Sequence, residues 1–211
     1  PWELRKTESI DAMDAVGSNI RIDARGAEVL RVLPRVNDDV NEEWISDKTR
    51  FAIDGLGRQP LDRPYIRRDG KLRPATWEEA LGLVAEKLKS TAPARIAAIA
   101  GDLVSVEPVK ALKDLLASFG VASLDCRQDG AKLGGPRPAY LFNTAIAGID
   151  DADAILLVGT NPRREAPIVN ARIRKTWLRH PLAIARIGAA ADLTYPVTEL
   201  GETLDVLAKL A

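Results

Sequence analysis

The chain has 211 residues, of which 46% are hydrophobic and 28% charged. That composition is ordinary for a globular protein and supplies a core without disulfide or metal staples. Lys and Arg number 30 against 30 Asp and Glu, a formal net charge of zero, which argues against a nucleic-acid partner. The lone cysteine, Cys126, and the lone histidine, His180, exclude an internal disulfide framework, an all-cysteine iron–sulfur or zinc site, and a multi-histidine metal site.

The amino-terminal third, residues 1–72, has a β and loop texture. Residues 19–23 and 28–33 alternate polar and apolar side chains, which predicts two strands joined at a hairpin where Gly26 takes a positive φ. Pro34 ends the second strand. Segment 41–51 predicts a short helix capped by Asn41. Residues 55–72 carry Gly55, Gly57, Gly70, Pro60 and Pro64 and read as an extended connector.

From residue 73 to 211 helices and strands alternate. Thr76-Trp77-Glu78-Glu79 is a capping box, and it opens a helix whose Ala80, Leu81, Val84 and Leu88 share a face. Strands are predicted at 95–100, 121–125, 152–158 and 182–187. A helix over 106–119, with Leu112, Leu115 and Leu116 inward, ends at Gly120. A basic helix runs over about 165–179, with Val169, Ile173 and Trp177 stacked on its apolar side, and a last helix covers 202–210. The expected fold is α/β: a Rossmann-like parallel sheet with helices on both faces, preceded by a small antiparallel β-rich segment. No apolar run nears the roughly 20 residues of a membrane span. With one cysteine and no signal-peptide core, the sequence points to a reducing compartment. It reads as a piece of something longer.

Several positions invite chemistry, each beside a plainer reading. Gly159, Thr160, Asn161, Pro162, Arg163 and Arg164 follow a strand and precede a helix, where an open α/β sheet binds ligands and a helix start accepts phosphate. The loop has one glycine rather than the spaced three of a dinucleotide fingerprint, so a turn with Pro162 at the first helical position is the favoured reading. Gly101 and Asp102 are a second strand-end candidate for a nucleotide. The basic residues Arg163, Arg164, Arg172, Arg174, Lys175 and Arg179 suit an acidic partner or a solvated face. His180, before Pro181, suits a helix-end role. Cys126 suits a packed position. Asp150, Asp151 and Asp153 suit a divalent ion or a solvated loop.

Four motifs in order are distinctive. They are residues 5–20 (RKTESIDAMDAVGSNI), 33–37 (LPRVN), 41–51 (NEEWISDKTRF), and 159–163 (GTNPR) with 170–175 (NARIRK). Together they resemble the family of the G subunit of NADH:quinone oxidoreductase, respiratory complex I, in its bacterial form, over essentially the whole chain. The resemblance implies the opening of that subunit's large domain, which is related to molybdopterin-dependent oxidoreductases. Iron–sulfur clusters are implied in the part of the subunit upstream. In the molybdopterin enzymes the β-rich segment holds a [4Fe–4S] cluster by C-x2-C-x3-C and a fourth cysteine. The matching positions here are Asp11, Asp14, Ser18 and Ser46, hard oxygen donors that replace soft thiolates poorly. The resemblance thus implies the frame of a cluster site without its ligands, and no cofactor in this fragment. Lys48 matches the lysine between cluster and pterin and is expected to pair with Asp11 or Asp14. Gly159, Thr160, Asn161 and Arg163 match the enzymes' pterin-dinucleotide loop, expected here as a vestige. The implied role is a non-catalytic scaffold, the implied partners are other peripheral-arm subunits, and the implied place is the cytoplasmic side of the bacterial inner membrane. Two rivals stand beside it: a fragment that still binds a pterin dinucleotide, and a nucleotide-binding module. Apolar surface is expected near the carboxyl terminus, where the remainder of such a domain packs.

Overall fold

Antiparallel pairing opens the chain. In the computed structural model, which describes residues 2–58, 61–101, 103–126 and 134–210, the elements run in this order: β1 (Arg5–Ile10), β2 (Asn19–Arg25), β3 (Glu28–Pro34), α1 (Asp47–Phe51), β4 (Tyr65–Arg68), β5 (Lys71–Pro74), α2 (Trp77–Ser90), β6 (Ala97–Ile99), α3 (Val106–Ser118), β7 (Ser123–Asp125), β8 (Ala154–Val158), α4 (Pro162–Glu165), α5 (Pro167–Arg179), β9 (Ala183–Ile187), β10 (Thr198–Gly201) and α6 (Asp205–Leu210). Two compact units emerge, one of Pro1–Leu56 with Gly135–Ala211, the other of Gly57–Gly134. The boundary expected near residue 72 falls inside the second unit.

In the first unit β1, β2 and β3 form an antiparallel sheet. Gly26 turns the β2–β3 hairpin at φ 60°, as its sequence position requires. Ile20, Val32 and Ile45 bury their side chains beneath it, with Ile22 and Ile53 packed alongside. The predicted helix over 41–51 is only α1, capped by Ser46 rather than Asn41. Asn41 is fully buried. It accepts from Asn19 N at 2.9 Å and donates to the carbonyls of Arg35, Glu42 and Trp44. A side-chain amide with both donor and acceptor capacity ties loop to strand better than it caps a helix.

The same unit holds the parallel sheet β10–β9–β8. Its residues Leu157 and Ile184 pack with Ile173 of α5, and with Ile149, Leu182, Leu193 and Tyr195, as one core; Val169 and Trp177 lie against it. This is the apolar side of the helix that the i, i+4 spacing predicts. Leu156 and Val158, pointing the other way from β8, are exposed, as are Leu200, Leu204 and Leu207 near the carboxyl terminus, where apolar surface is expected. Strands β1 and β10 carry no clear alternation, and the sequence does not predict them.

The second unit contains the β4–β5 hairpin, where the sequence predicts only a connector. Asp69 and Gly70 both take positive φ, 51° and 74°, the backbone of a tight two-residue turn. The Thr76–Glu79 capping box forms as predicted, and Arg68 donates to Glu79 at 2.9 Å. The Thr76 backbone N–H and then Arg68 hold the Glu79 carboxyl below its ordinary range. β6 and β7 pair in parallel as a separate two-stranded sheet, so the predicted parallel strands lie in two sheets rather than in one series. The apolar faces of the two helices are less covered than their periodicity implies. Leu81 and Val84 of α2 and Leu115 of α3 are exposed, and Leu116 is buried. Two short strands offer too little surface to cover two helices. Cys126, expected to be packed, is exposed, because β7 ends at Asp125 and leaves it past the sheet edge. Asp102, part of one nucleotide-site expectation, lies outside the described residues.

Candidate functional site

Two places carry the residues singled out from the sequence. The first is the seat built by β1, the 11–18 loop and α1. Asp11 N–H donates to Ser18 C=O at 2.8 Å, closing the loop between them. The Asp11 carboxylate accepts from Met13 N at 2.9 Å on one oxygen and from Thr49 Oγ1 at 2.5 Å on the other. Thr49 has one hydroxyl proton, so the 2.8 Å bond between Ser46 Oγ and Thr49 Oγ1 is donated by Ser46. Ser46 Oγ in turn accepts from Thr49 N. Asp11, Ser18, Ser46 and Thr49 are all buried. Asp14 Oδ1 accepts from Val16 N at 3.0 Å. Its Oδ2 and the hydroxyl of Ser18 are buried with no hydrogen-bond partner. Thr49, which sequence reasoning missed, therefore joins Asp11 to Ser46, while Ser18 meets Asp11 through the backbone and Asp14 turns to Val16 in the same loop.

Lys48 is exposed and makes no ion pair with Asp11 or Asp14 among the described residues. The expected pairing is incorrect: Asp11 takes its hydrogen bonds from a backbone amide and a hydroxyl, and the α1 turn carries Lys48 outward. Segment 4–54 holds neither cysteine nor histidine, so its donor set does not fit an iron–sulfur cluster. No group of three or more His, Cys, Asp and Glu suited to a metal gathers among the described residues.

The second place lies beyond the carboxyl ends of β8 and β9. A cavity of about 740 Å³ is lined by residues 159–161, 163–165 and 189–192. Gly159 sits at φ 61° and its N–H donates to Ile187 C=O; Gly188, at φ 135°, passes so close that a Cβ there would come within 3.3 Å of Gly159 Cα. The loop satisfies its own donors. Glu165 accepts from Asn161 N at 2.7 Å on one oxygen and from Thr160 Oγ1 at 2.9 Å on the other. Arg163 donates to the Asp192 carboxylate at 2.6 Å and to the Asp192 carbonyl at 3.1 Å. The Thr194 backbone N–H and then Arg163 hold the Asp192 carboxyl below its ordinary range. Three of the groups that would greet a phosphate, Asn161 N–H, the Thr160 hydroxyl and Arg163, thus already face carboxylates, while Arg164 is exposed. Asn161 Oδ1 alone is buried and unpartnered. Sequence reasoning missed Glu165 and Asp192. Glu165 stands four residues past Asn161, one beyond the capping-box spacing, and Asp192 is distant in the chain.

The basic helix is largely pinned inward. Arg172, 2% exposed, donates to Asp150 at 3.1 Å and to the Asp38 carbonyl at 2.5 Å. Lys175 pairs with Glu42 and with Asp150, and Arg174 donates to the Thr194 carbonyl. The Asp150 carboxylate, read as an ion ligand or a solvated loop, instead gathers Arg172, Lys175 and Thr176. His180 caps α5 through its N–H to Thr176 C=O, and its Nε2 lies 3.2 Å from the Asp150 carbonyl.

Residues 61–211 match the family described as molybdopterin oxidoreductase. The chain belongs to that family. Residues 4–54 match the family described as NADH-ubiquinone oxidoreductase NDSU1/NuoG-like, 4Fe-4S domain. The G subunit of the NADH-quinone oxidoreductase of Rickettsia conorii is 52% identical over 211 residues, covering 100% of this chain and 31% of that protein. The corresponding G subunit of Rickettsia bellii is likewise 52% identical over 211 residues. The NADH-ubiquinone oxidoreductase 78 kDa subunit, mitochondrial, of Candida albicans is 53% identical over 212 residues, 98% of this chain and 29% of that protein. The chain spans under a third of the length of these relatives. The resemblance read from the four motifs therefore extends from end to end of the chain. The matched 4Fe-4S segment is the one that here lacks cysteine.

Proposed function

We propose that the chain is a structural portion of the G subunit of an NADH:quinone oxidoreductase, supporting electron transfer from NADH to quinone as scaffold while doing no chemistry itself. The carrying observation is the end-to-end similarity to that subunit, in a chain whose thiolate positions are Asp11, Asp14, Ser18 and Ser46. The self-satisfied loop at Gly159, Thr160, Asn161 and Arg163 supports the same reading, as a vestige of a pterin-dinucleotide site. In this reading residues 1–72 are the old cluster-binding segment and 73–211 a Rossmann-like domain with helices on both faces. Its partners are other peripheral-arm subunits, and it works on the cytoplasmic side of the bacterial inner membrane. No helix among the described residues is long and apolar enough to cross a membrane.

The test uses the full-length subunit within its assembled complex. Asn161→Ala and Arg164→Ala should leave NADH:quinone turnover per assembled complex unchanged. Arg172→Ala should lower the amount of assembled complex on native gels. A fall in turnover per complex from the loop variants would overturn the scaffold reading.

A second reading rests on one observation, the cavity of about 740 Å³ beyond the ends of β8 and β9 that Gly159, Thr160, Asn161 and Arg164 help to line, which has room for a pterin or guanine ring. Calorimetry with GDP decides it: micromolar binding lost in Asn161→Ala favours this reading, and no heat removes it. It ranks second because Glu165 and Asp192 already occupy the donors that a diphosphate needs.

A further inference from the structure

We propose that the outer face of the β1–β2–β3 sheet docks a carboxylate-rich segment of another subunit, received by Lys6, Arg21 and Arg31. The pairing register defines this face. Lys6, Asp23 and Arg31 stand directly opposite one another across the three strands, and Glu8, Arg21 and Leu33 form the next row. Directly opposed residues share a face, as do residues two apart on one strand. The core residues Ile20, Ile22 and Val32 point to the other side.

Positive charge is in excess here. Asp23 is fully buried, and it accepts from Arg21 Nε at 2.8 Å, Arg21 Nη2 at 3.2 Å and Arg31 Nε at 2.7 Å. Lys6 stands opposite the same carboxylate but makes no ion pair among the described residues. Glu8, the other anion on the face, is taken by Arg35 at 3.3 Å. Three cations thus share one carboxylate, in a chain whose formal net charge is zero. Neighbouring like charges on a sheet face destabilise it, and a carboxylate brought by a partner relieves them.

The arginines are also held ready. Each is fixed to Asp23 by one edge of its guanidinium, while Arg21 Nη1 and both Nη atoms of Arg31 donate to no described residue. Their side chains remain 32% and 49% exposed. A guanidinium already immobilised loses little further freedom on binding, and its free edge is a planar fork matched to a carboxylate. Ile10, exposed on this face, and the half-buried Leu33 add apolar contact beside the charges. An open sheet face does not enclose a small anion as a pocket does, so the partner is a protein surface. This inference rests on the scaffold reading, since it needs neighbouring subunits.

The test uses the full-length subunit in its assembled complex. Carbodiimide joins a lysine amine to a carboxylate in contact with it, and peptide mass spectrometry reads the joined pair. The expected result is a link from Lys6 to an Asp or Glu of another subunit, with acetylation of Lys6 slower in the complex than in the isolated subunit. Lys6→Glu should weaken rejoining of the subunit to its depleted complex roughly tenfold at low ionic strength, and the deficit should shrink in about 0.5 M NaCl. Lys6→Gln removes the charge without placing an anion opposite Asp23, so it keeps the question open to test should Lys6→Glu fail to fold; its smaller deficit should show the same salt dependence. Acetylation of Lys6 at equal rates in both states, or links only to carboxylates of its own subunit, overturns the docking surface and leaves the scaffold reading standing. Absence of the subunit from the purified complex removes that reading and this proposal with it.

Discussion

Arg172 on α5 donates to the backbone carbonyl of Asp38, 134 positions earlier in the chain. The same guanidinium reaches Asp150, so one buried side chain fastens the loop after β3, the helix and the turn before β8. With Lys175 bridging Glu42 and Asp150, the antiparallel sheet and the parallel sheet of this unit are held together largely by polar contacts through α5.

Replacing Arg172 by Met should therefore be costly although both side chains have similar length. Breaking a buried pair costs about 3–5 kcal/mol, and the figure is reduced here to roughly 2–3 because Asp150 keeps contact with solvent and retains Lys175. Urea unfolding of Arg172→Met and of Arg172→Met with Asp150→Asn measures it. The double variant should recover part of the loss, since it no longer strands a carboxylate.

Thr49 is the joint between Asp11 and Ser46. Thr49→Val keeps the shape and removes the hydroxyl, leaving a buried Asp11 oxygen without its donor. A loss of roughly 1–3 kcal/mol follows from that desolvation. Thr49→Ser, which keeps the hydroxyl and loses only a methyl group, should cost less than Thr49→Val. Equal losses in both variants would mean that packing and not the hydrogen bond matters at this position.

Tyr195 sets an alkaline limit. Burial raises its hydroxyl to about 12, while its proton is donated to Asn170 Oδ1 at 2.8 Å. In the unfolded chain tyrosine titrates near 10. The raised value contributes stability that is fully present below about pH 10 and is lost as pH rises toward 12. Stability of the parent chain should fall across that window. Tyr195→Phe should start lower, having lost the hydrogen bond, and fall less steeply; parallel curves would contradict the assignment.

Asp23 sets the acid counterpart. Arg21, then Arg31, hold its carboxyl below the ordinary range against the opposing effect of burial. A lowered value contributes stability present above about pH 4 and lost as pH falls through the folded value. The gap in stability between the parent and Asp23→Asn should stay constant at neutral pH and shrink on acidification below about pH 4. A gap that persists undiminished to strong acid would remove the carboxylate from the account.

Glu165→Gln tests whether the strand-end loop is closed by its own anion. Removing the charge weakens the hold on Asn161 N and Thr160 Oγ1, and the neighbouring Arg164, which is exposed, supplies positive potential. Calorimetry should detect no phosphate binding by the parent and an affinity in the low millimolar range in the variant, an order of magnitude suited to a few hydrogen bonds. An unchanged absence of binding would mean that Glu165 only braces the turn.

The helices α2, α3 and α5 and the strands β2, β3, β6, β7, β8 and β9 were legible because their signals are local: capping at Thr76, the glycine stop at Gly120 and alternation from Asn19 to Leu33. β1 and β10 were not, since a strand without alternation is defined by its partner. The loop at Gly159–Arg163 was found as a place but not as a chemistry. Its decisive neighbours, Glu165 and Asp192, act through contacts that no spacing rule predicts. The same holds for Asn41, whose polar side chain suggests a helix cap until Asn19, Arg35 and Trp44 are brought round it. Exposure was misjudged at Leu81, Val84 and Cys126, because periodicity says which face is apolar and not whether anything covers it.

That Cys126 stands past the end of β7, exposed and the only thiol in the chain, gives the molecule a single chemical address. A maleimide dye or spin label attaches at one position with no need to remove competitors. Disulfide formation leads to one crosslinked product only, a pair of chains joined through Cys126 and parted again by a reductant, so a mixed ladder of crosslinked species cannot arise from thiol chemistry.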